Sequence, residues 1–290
     1  MGSVMSQVIP NRLTLVHGQR EAGSDPLWVR LRSEAEEAYE KSPKLAPLFF
    51  DSILNQPSFE FAVFHRVAAR LKNDVIPLSV IVQSFSKALA DDPCLGVALR
   101  ADIMAVYDRD PACERLIEPF LYFKGFHAIE AHRLNHWMWR NGDHDFALYL
   151  QSRSSEVFQT DIHPAAPFGK GIFLDHATGF VVGETAAIGD NVSMLHGVTL
   201  GGTGKEGSDR HPKVGSGVVI GAGAKILGNI TIGDHARIAA GSVVLKDVPA
   251  HATVAGVPAK VVRIAASDEP ARDMDQTLRD CSYEAFNYTI

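Results

Sequence analysis

Asp161, His163, Asp175, His176, His196 and His211 crowd into one short part of this 290-residue chain. Imidazole takes and gives protons near neutral pH, and a neighbouring carboxylate fixes its tautomer and orientation. His176 and His211 stand apart from the other two histidines, because each lies where an otherwise regular repeat is broken. His163 and His196 lie inside regular units and read as hydrogen-bonded corner residues. Asp161 precedes His176 by 15 residues, so the two can meet on adjacent coils of a solenoid. There Asp161 would hold His176 as a general base.

Other chemistries fit less well. A zinc site needs a compact ligand set. The spacings of 13, 20 and 15 along His163, His176, His196 and His211 do not supply one, so no metal is expected. No Gly-x-Ser-x-Gly elbow occurs. Gly201-Gly202-Thr203-Gly204-Lys205 lacks the spacing of a phosphate-binding loop and reads as a loop that needs flexibility.

The element that must position these side chains runs from Ile162 to Val248. Apolar residues open units of six: Ile162, Phe168, Leu174, then Val182, Ile188, Met194, Leu200, then Val214, Ile220, Ile226, Ile232, Ile238 and Val244. A period of six fits neither a helix nor an alternating strand. It fits a parallel β-helix, in which three hexapeptides close one triangular coil and the openers stack inward. Two breaks interrupt it. Leu174 to Val182 is eight residues, and Leu200 to Val214 is fourteen. Insertions in solenoids become loops on one face, often the binding face. The longer one ends in Arg210-His211, so it is expected to reach over a site.

Residues 25–158 carry helical periodicity punctuated by Pro43, Pro57, Pro77, Pro93 and Pro111. Asp25-Pro26 is a start signal, with an N-cap followed by proline at the first helical position. The chain therefore reads as α+β: a flexible leader (1–24), an all-α domain that associates with copies of itself (25–158), a β-helix (159–265) and a flexible tail (266–290). The stretch Val254 to Val262 is expected to close the β-helix as one strand.

Bulk properties exclude several classes. The net charge of -6 gives no support for nucleic-acid binding. No run approaches the length of a membrane span. The three scattered cysteines form neither a disulfide framework nor a zinc spacing, so a reducing, cytoplasmic setting is expected.

Particular runs narrow the reading. Asp161-Ile162-His163-Pro164-Ala165-Ala166, Leu174-Asp175-His176-Ala177-Thr178-Gly179, Val182-Gly183-Glu184-Thr185, Val198-Thr199-Leu200-Gly201-Gly202-Thr203-Gly204-Lys205 and Asp209-Arg210-His211-Pro212-Lys213 closely resemble serine O-acetyltransferase. Asp108-Arg109-Asp110-Pro111 and Phe123-Lys124-Gly125-Phe126-His127-Ala128 match as well. The likeness covers about residues 25–265.

The resemblance implies a left-handed parallel β-helix and acetyl transfer from acetyl-CoA to the L-serine hydroxyl, giving O-acetyl-L-serine and CoA on the way to cysteine. His176 would be the base and Asp161 its orienting partner. His211 would hold the same hydroxyl or the developing charge. Asp110 and Asp175 suit the ammonium of serine, and Arg210 suits its carboxylate. Gly202, Ala222 and Ala240 match the coenzyme contacts. The family places its site between subunits of a trimer and joins trimers into hexamers through the helical domain. Cysteine is its feedback inhibitor. A C-terminal Ile, here Ile290, docks many members into O-acetylserine sulfhydrylase. Two other readings compete: a β-helix acetyltransferase for a sugar or xenobiotic, and an inactive scaffold regulating the sulfhydrylase.

Overall fold

A computed structural model describes residues 25–204, 207–264 and 269–274. The leader 1–24 and Ile290 lie outside the described residues.

The helical part comprises α1 (Pro26–Lys41), α2 (Ala46–Phe49), α3 (Phe59–Leu71), α4 (Leu78–Asp91), α5 (Cys94–Arg109), α6 (Ile117–Leu121), α7 (Lys124–Arg140) and α8 (His144–Phe158). The capping signals act as the sequence suggests. Asp25 Oδ1 accepts from the Trp28 N–H at 3.3 Å, with Pro26 at the first helical position. Helix α7 is central and buried on nearly every side. It buries Phe126, Ile129, Leu134 and Met138, but also His127, Glu130 and His132. Burial pushes His127 and His132 down to about 3, so both are neutral, and each ring donates to a backbone carbonyl, of Phe120 and Ala166 respectively.

A buried ionic knot joins this part to the first coil of the β-helix. Arg133 on α7 pairs with Asp102 on α5 at 2.5 Å and donates to the Gly169 carbonyl at 2.8 Å. Glu130 lies against the same guanidinium at 3.6 Å. Burial, and then the charge of Asp102, hold the Glu130 carboxyl well above the usual carboxylate range, so it keeps its proton.

Helix α8 ends at Phe158, and the strands begin at once: β1 (Thr160–Ile162), β2 (Phe173–Leu174), β3 (Phe180–Val182), β4 (Ala187–Ile188), β5 (Ser193–Met194), β6 (Thr199–Gly201), β7 (Lys213–Val214), β8 (Val219–Ile220), β9 (Lys225–Leu227), β10 (Thr231–Ile232), β11 (Arg237–Ile238), β12 (Val243–Val244), β13 (Ala252–Gly256) and β14 (Ala259–Ile264). They stack into three faces: β1-β3-β6-β9-β12, β4-β7-β10, and β2-β5-β8-β11-β13-β14. All pairs are parallel except β13 with β14. The fold is a parallel β-helix of hexapeptide repeats. Twelve of the thirteen openers are buried, Phe168 being partly so. Each buried aliphatic opener contributes roughly 1.5–3 kcal/mol.

Register shows where the repeat breaks. Regular coils bring residues 18 apart into pairing, as Ile226 with Val244. Ile162 pairs with Val182, 20 away, across the first break. Leu200 pairs with Ile226, 26 away, across the second. The extra residues are extruded at corners, and the stack continues undisturbed.

Two expectations are corrected. The closing segment is a hairpin of β13 and β14, because Gly256-Val257-Pro258 turns the chain where one strand was expected. Residues 269–274, expected within an unstructured tail, include a short helix, α9 (Pro270–Asp273). Its Pro270 and Ala271 are buried, and the Ala271 carbonyl accepts from Ser193 Oγ at 2.8 Å. Among the described residues, no helix is long and apolar enough to cross a membrane.

Candidate active site

Strand β2 runs directly into Asp175 and His176. The Ala177 N–H donates to the Asp175 carbonyl and the Thr178 N–H to the His176 carbonyl, both at 2.6 Å. His176 and Ala177 have φ of 55° and 59°. Adjacent non-glycine residues in the left-handed region cost about 1–3 kcal/mol each, and such strain collects at functional sites. The turn buries Ala177 and turns His176 outward, with its side chain 75% exposed. The His176 Nε2 lies 3.7 Å from Asp175 Oδ1, and the ring centroid is 5.8 Å from that of His196 on the next coil.

Beside this turn is a cavity of about 520 Å³, lined by Asp110, Lys124, Asp175, His176 and Met274 among others. Asp110 caps the C-terminal end of α5. Gly125 lets the first turn of α7 touch β2: a Cβ there would stand 1.9 Å from the Leu174 carbonyl oxygen. Burial pushes the Asp175 carboxyl up; His176 opposes the shift, and the charge of Asp110 adds to it. Two carboxylates facing one cavity make a seat for a cation such as a primary ammonium.

His211 stands at a different corner. His211 is 7% exposed, and its ring is anchored to Thr185. Thr185 Oγ1 accepts from the N–H groups of Arg210 and His211 at 3.0 and 3.1 Å. Its own hydroxyl proton therefore points to His211 Nδ1, 2.9 Å away, which also accepts from the Thr185 N–H at 3.2 Å. That assigns the proton to Nε2, which becomes a donor. Burial, then the charge of Arg210, lower the His211 pKa, so the ring is neutral near pH 7. The ring lies over Gly183 and beside Gly202. Arg210 reaches Glu184 Oε2 at 2.8 Å, and Lys213 Nζ fastens the loop end to the Thr185 and His211 carbonyls, each at 2.8 Å.

Within one chain the residues singled out from the sequence thus fall into two groups. Asp110, Asp175 and His176 lie at the corner where β2 meets β3. Arg210, His211 and Gly202 lie at the corner between β3 and β4. Strand β3, three residues long, separates the corners by about 10 Å. Ala222 and Ala240 fall on the corner column of His176, where Gly197, Gly223 and Gly241 donate in turn to the carbonyls of Thr178, His196 and Ala222.

Asp161 lies on the outer side of β1, and its carboxylate accepts from Gln151 Nε2 at 2.7 Å. The expected contact with His176 is not formed in this conformer. Among the described residues, no group of three or more His, Cys, Asp or Glu is placed to hold a metal ion.

Glu184, Thr185 and Met274 were not foreseen as part of these two corners. Gly183-Glu184-Thr185 sits in an unbroken hexapeptide, so its only signal was the match of its motif. Met274 follows a four-residue helix too short to show periodicity.

Comparisons with known proteins agree with this architecture. A family model for the N-terminal part of serine acetyltransferase matches residues 27–131, and one for six bacterial transferase hexapeptide repeats matches residues 211–246. The serine acetyltransferase of Escherichia coli strain K12 is 49% identical over 90% of this chain and 96% of its own length. A Brucella abortus strain S19 serine acetyltransferase solved with coenzyme A is 60% identical, with a TM-score of 0.81 over 82% of this chain and 96% of that one. A serine acetyltransferase solved with cysteine is 49% identical, with a TM-score of 0.84 over 87% and 98%. Identity of this extent, spread over both the helical part and the β-helix, shows that the chain belongs to the serine acetyltransferase family, a family of acyltransferases.

Proposed function

We propose that the chain transfers the acetyl group of acetyl-CoA to the hydroxyl of L-serine, giving O-acetyl-L-serine and CoA. The observation that carries the reading is the cavity lined by both Asp110 and Asp175 beside the exposed ring of His176. The carboxylates take the ammonium of serine, which brings its hydroxyl to the imidazole. His176 removes the hydroxyl proton as the oxygen attacks the thioester carbon. The C–S bond then breaks, and the proton passes from His176 to the leaving thiolate. No acyl-enzyme is needed.

Asp161 orients the protonated His176 ring. Its present partner Gln151 is no obstacle, because exposed side chains exchange rotamers within nanoseconds. His211 supplies its Nε2–H to the serine oxygen or to the developing oxyanion. Arg210 reads the serine carboxylate by a two-pronged contact, in exchange for Glu184.

The two corners combine in a homotrimer. One subunit presents Asp110, Asp175 and His176, and its neighbour presents Arg210 and His211. Coenzyme A then lies along the groove between them, against Ala222 and Ala240 on one side and Gly202 on the other. The helical part joins two trimers into a hexamer. Cysteine, which differs from serine by sulfur for oxygen, fits the same ammonium and carboxylate seats and acts as inhibitor. A relative solved with cysteine supports that reading. A cytoplasmic setting and docking of Ile290 into O-acetylserine sulfhydrylase complete the proposal.

The test is release of free CoA thiol from acetyl-CoA with L-serine, with a sugar, and with no acceptor. Serine-dependent release is expected. Release with the sugar alone overturns the substrate, and no release with any acceptor overturns the activity.

A further inference from the structure

One peptide unit of the first coil is gripped at both ends by helix α5. The Gly171 carbonyl accepts from Arg109 Nη1 at 3.1 Å, and the Ile172 N–H of the same peptide donates to Asp102 Oδ1 at 2.8 Å. Asp102 and Arg109 are seven residues apart, two helical turns, so they project from one face of α5. Asp102 is fully buried, and its other oxygen accepts from Arg133 Nε at 2.6 Å. Arg109 also reaches the second coil, at Ser193 Oγ (3.1 Å) and Asn191 Oδ1 (3.3 Å). A packing contact between helix and coil needs no buried acid. A carboxyl and a guanidinium on one peptide, one at each end, fix its direction as well as its position.

Both ends of this clamp lead straight into the cavity. Asp110 follows Arg109 directly, at the end of α5. Asp175 and His176 follow Ile172 after the two residues of β2. A slip of α5 against β2 would therefore change the separation of Asp110 and Asp175 before it changed anything at the corner of His211.

We propose that Asp102 and Arg109 are positioning residues: by clamping the Gly171–Ile172 peptide they set the spacing of Asp110 and Asp175, and with it the recognition of the acceptor's ammonium group. The proposal rests on the reading of those two carboxylates given above. It assigns the clamp to acceptor choice and leaves acetyl-CoA binding outside its reach.

The experiment is steady-state kinetics of the full-length assembly with two acceptors, L-serine and 3-hydroxypropionate, which lacks the amine. Arg109→Lys, Arg109→Gln and Asp102→Asn are compared with Asp110→Asn. For Arg109→Gln the KM for serine is expected to rise about tenfold, with the KM for acetyl-CoA and kcat held within about threefold. Arg109→Lys should recover part of the loss, because it keeps the charge but cannot span Gly171 and Ser193 together. Acetylation of 3-hydroxypropionate should match the parent, so the preference for serine narrows.

An unchanged serine KM overturns the proposal. So does a parallel loss with both acceptors and acetyl-CoA, which is what mere loosening of the fold would give. Should Arg109→Gln not fold, Arg109→Lys carries the same readouts. If Asp110→Asn handles serine as the parent does, the carboxylate reading falls and the proposal with it. If Asp110→Asn loses serine while both Arg109 variants keep it, only the clamp falls.

Discussion

A Cβ on residue 183 would stand 2.0 Å from the Nε2 of His211, so the ring occupies space that only a glycine leaves open. The thirteen openers stack without regard to this residue. Gly183 is there for the histidine one coil below.

Gly183→Ala should therefore displace the His211 ring while leaving the stack intact. The expected result is a fall in kcat/KM of roughly 100-fold, the size reported when one positioned donor to a developing oxyanion is removed. The melting temperature should move by only a few degrees. Kinetics and a thermal melt on the same preparation check this, and parental kinetics would remove His211 from the reaction.

His176→Ala should cost about 10²- to 10⁴-fold in kcat, the usual contribution of a positioned general base. Coenzyme A should still bind, because Ala222 and Ala240 lie on later coils of the same corner column. Calorimetric titration with CoA beside the turnover assay separates the two effects. Undiminished turnover would show that another group takes the proton.

Asp175→Asn should raise the KM for serine roughly 10- to 100-fold, through loss of a charge-assisted hydrogen bond. The sign of the pH effect follows from the direction of the shift. Asp175 is held above the ordinary carboxylate range, chiefly by burial, and it seats an ammonium only when ionised. As pH falls through that raised value, the parent's KM for serine should climb, and the variant's KM should stay flat. Equal slopes in parent and variant would detach Asp175 from the ammonium.

Glu130→Gln tests the buried knot. A carboxyl whose folded pKa is raised contributes stability fully present below its unfolded value, near 4.3, and lost as pH rises through the folded value. Gln cannot ionise. Relative to the parent, the variant should gain up to about 1.4 kcal/mol per pH unit within that window. Urea midpoints at several pH values from acid to neutral measure it. Parallel pH slopes would show that Glu130 is already ionised in the fold.

Much of the architecture was legible because a β-helix writes its period into the chain. Each opener faces the same interior, so selection for burial repeats every six residues. The breaks at Asp175–Gly179 and Gly201–Pro212 were visible for the same reason. Other features leave no such mark. Glu130 and Arg133 have the three-residue spacing of a solvated helix face, Asp102 stands on a different helix, and only tertiary packing brings the three together and buries them. Gly256-Val257-Pro258 reverses the chain inside an apolar run, and the run concealed the turn. Glu184 and Thr185 fill ordinary corner positions, so their grip on Arg210 and His211 is a property of the neighbouring coil. The partner of Asp161 depends on a rotamer, which sequence spacing does not specify.

The separation of His176 and His211 onto two corner columns of the β-helix, on successive coils, has a genetic consequence in the proposed trimer. A chain inactivated at His176 still presents a sound His211 corner, and the reverse holds. A mixed trimer of the two defective chains has one junction where both sound corners meet. Two alleles, each silent alone, should therefore restore part of the activity when expressed together, up to one site in three.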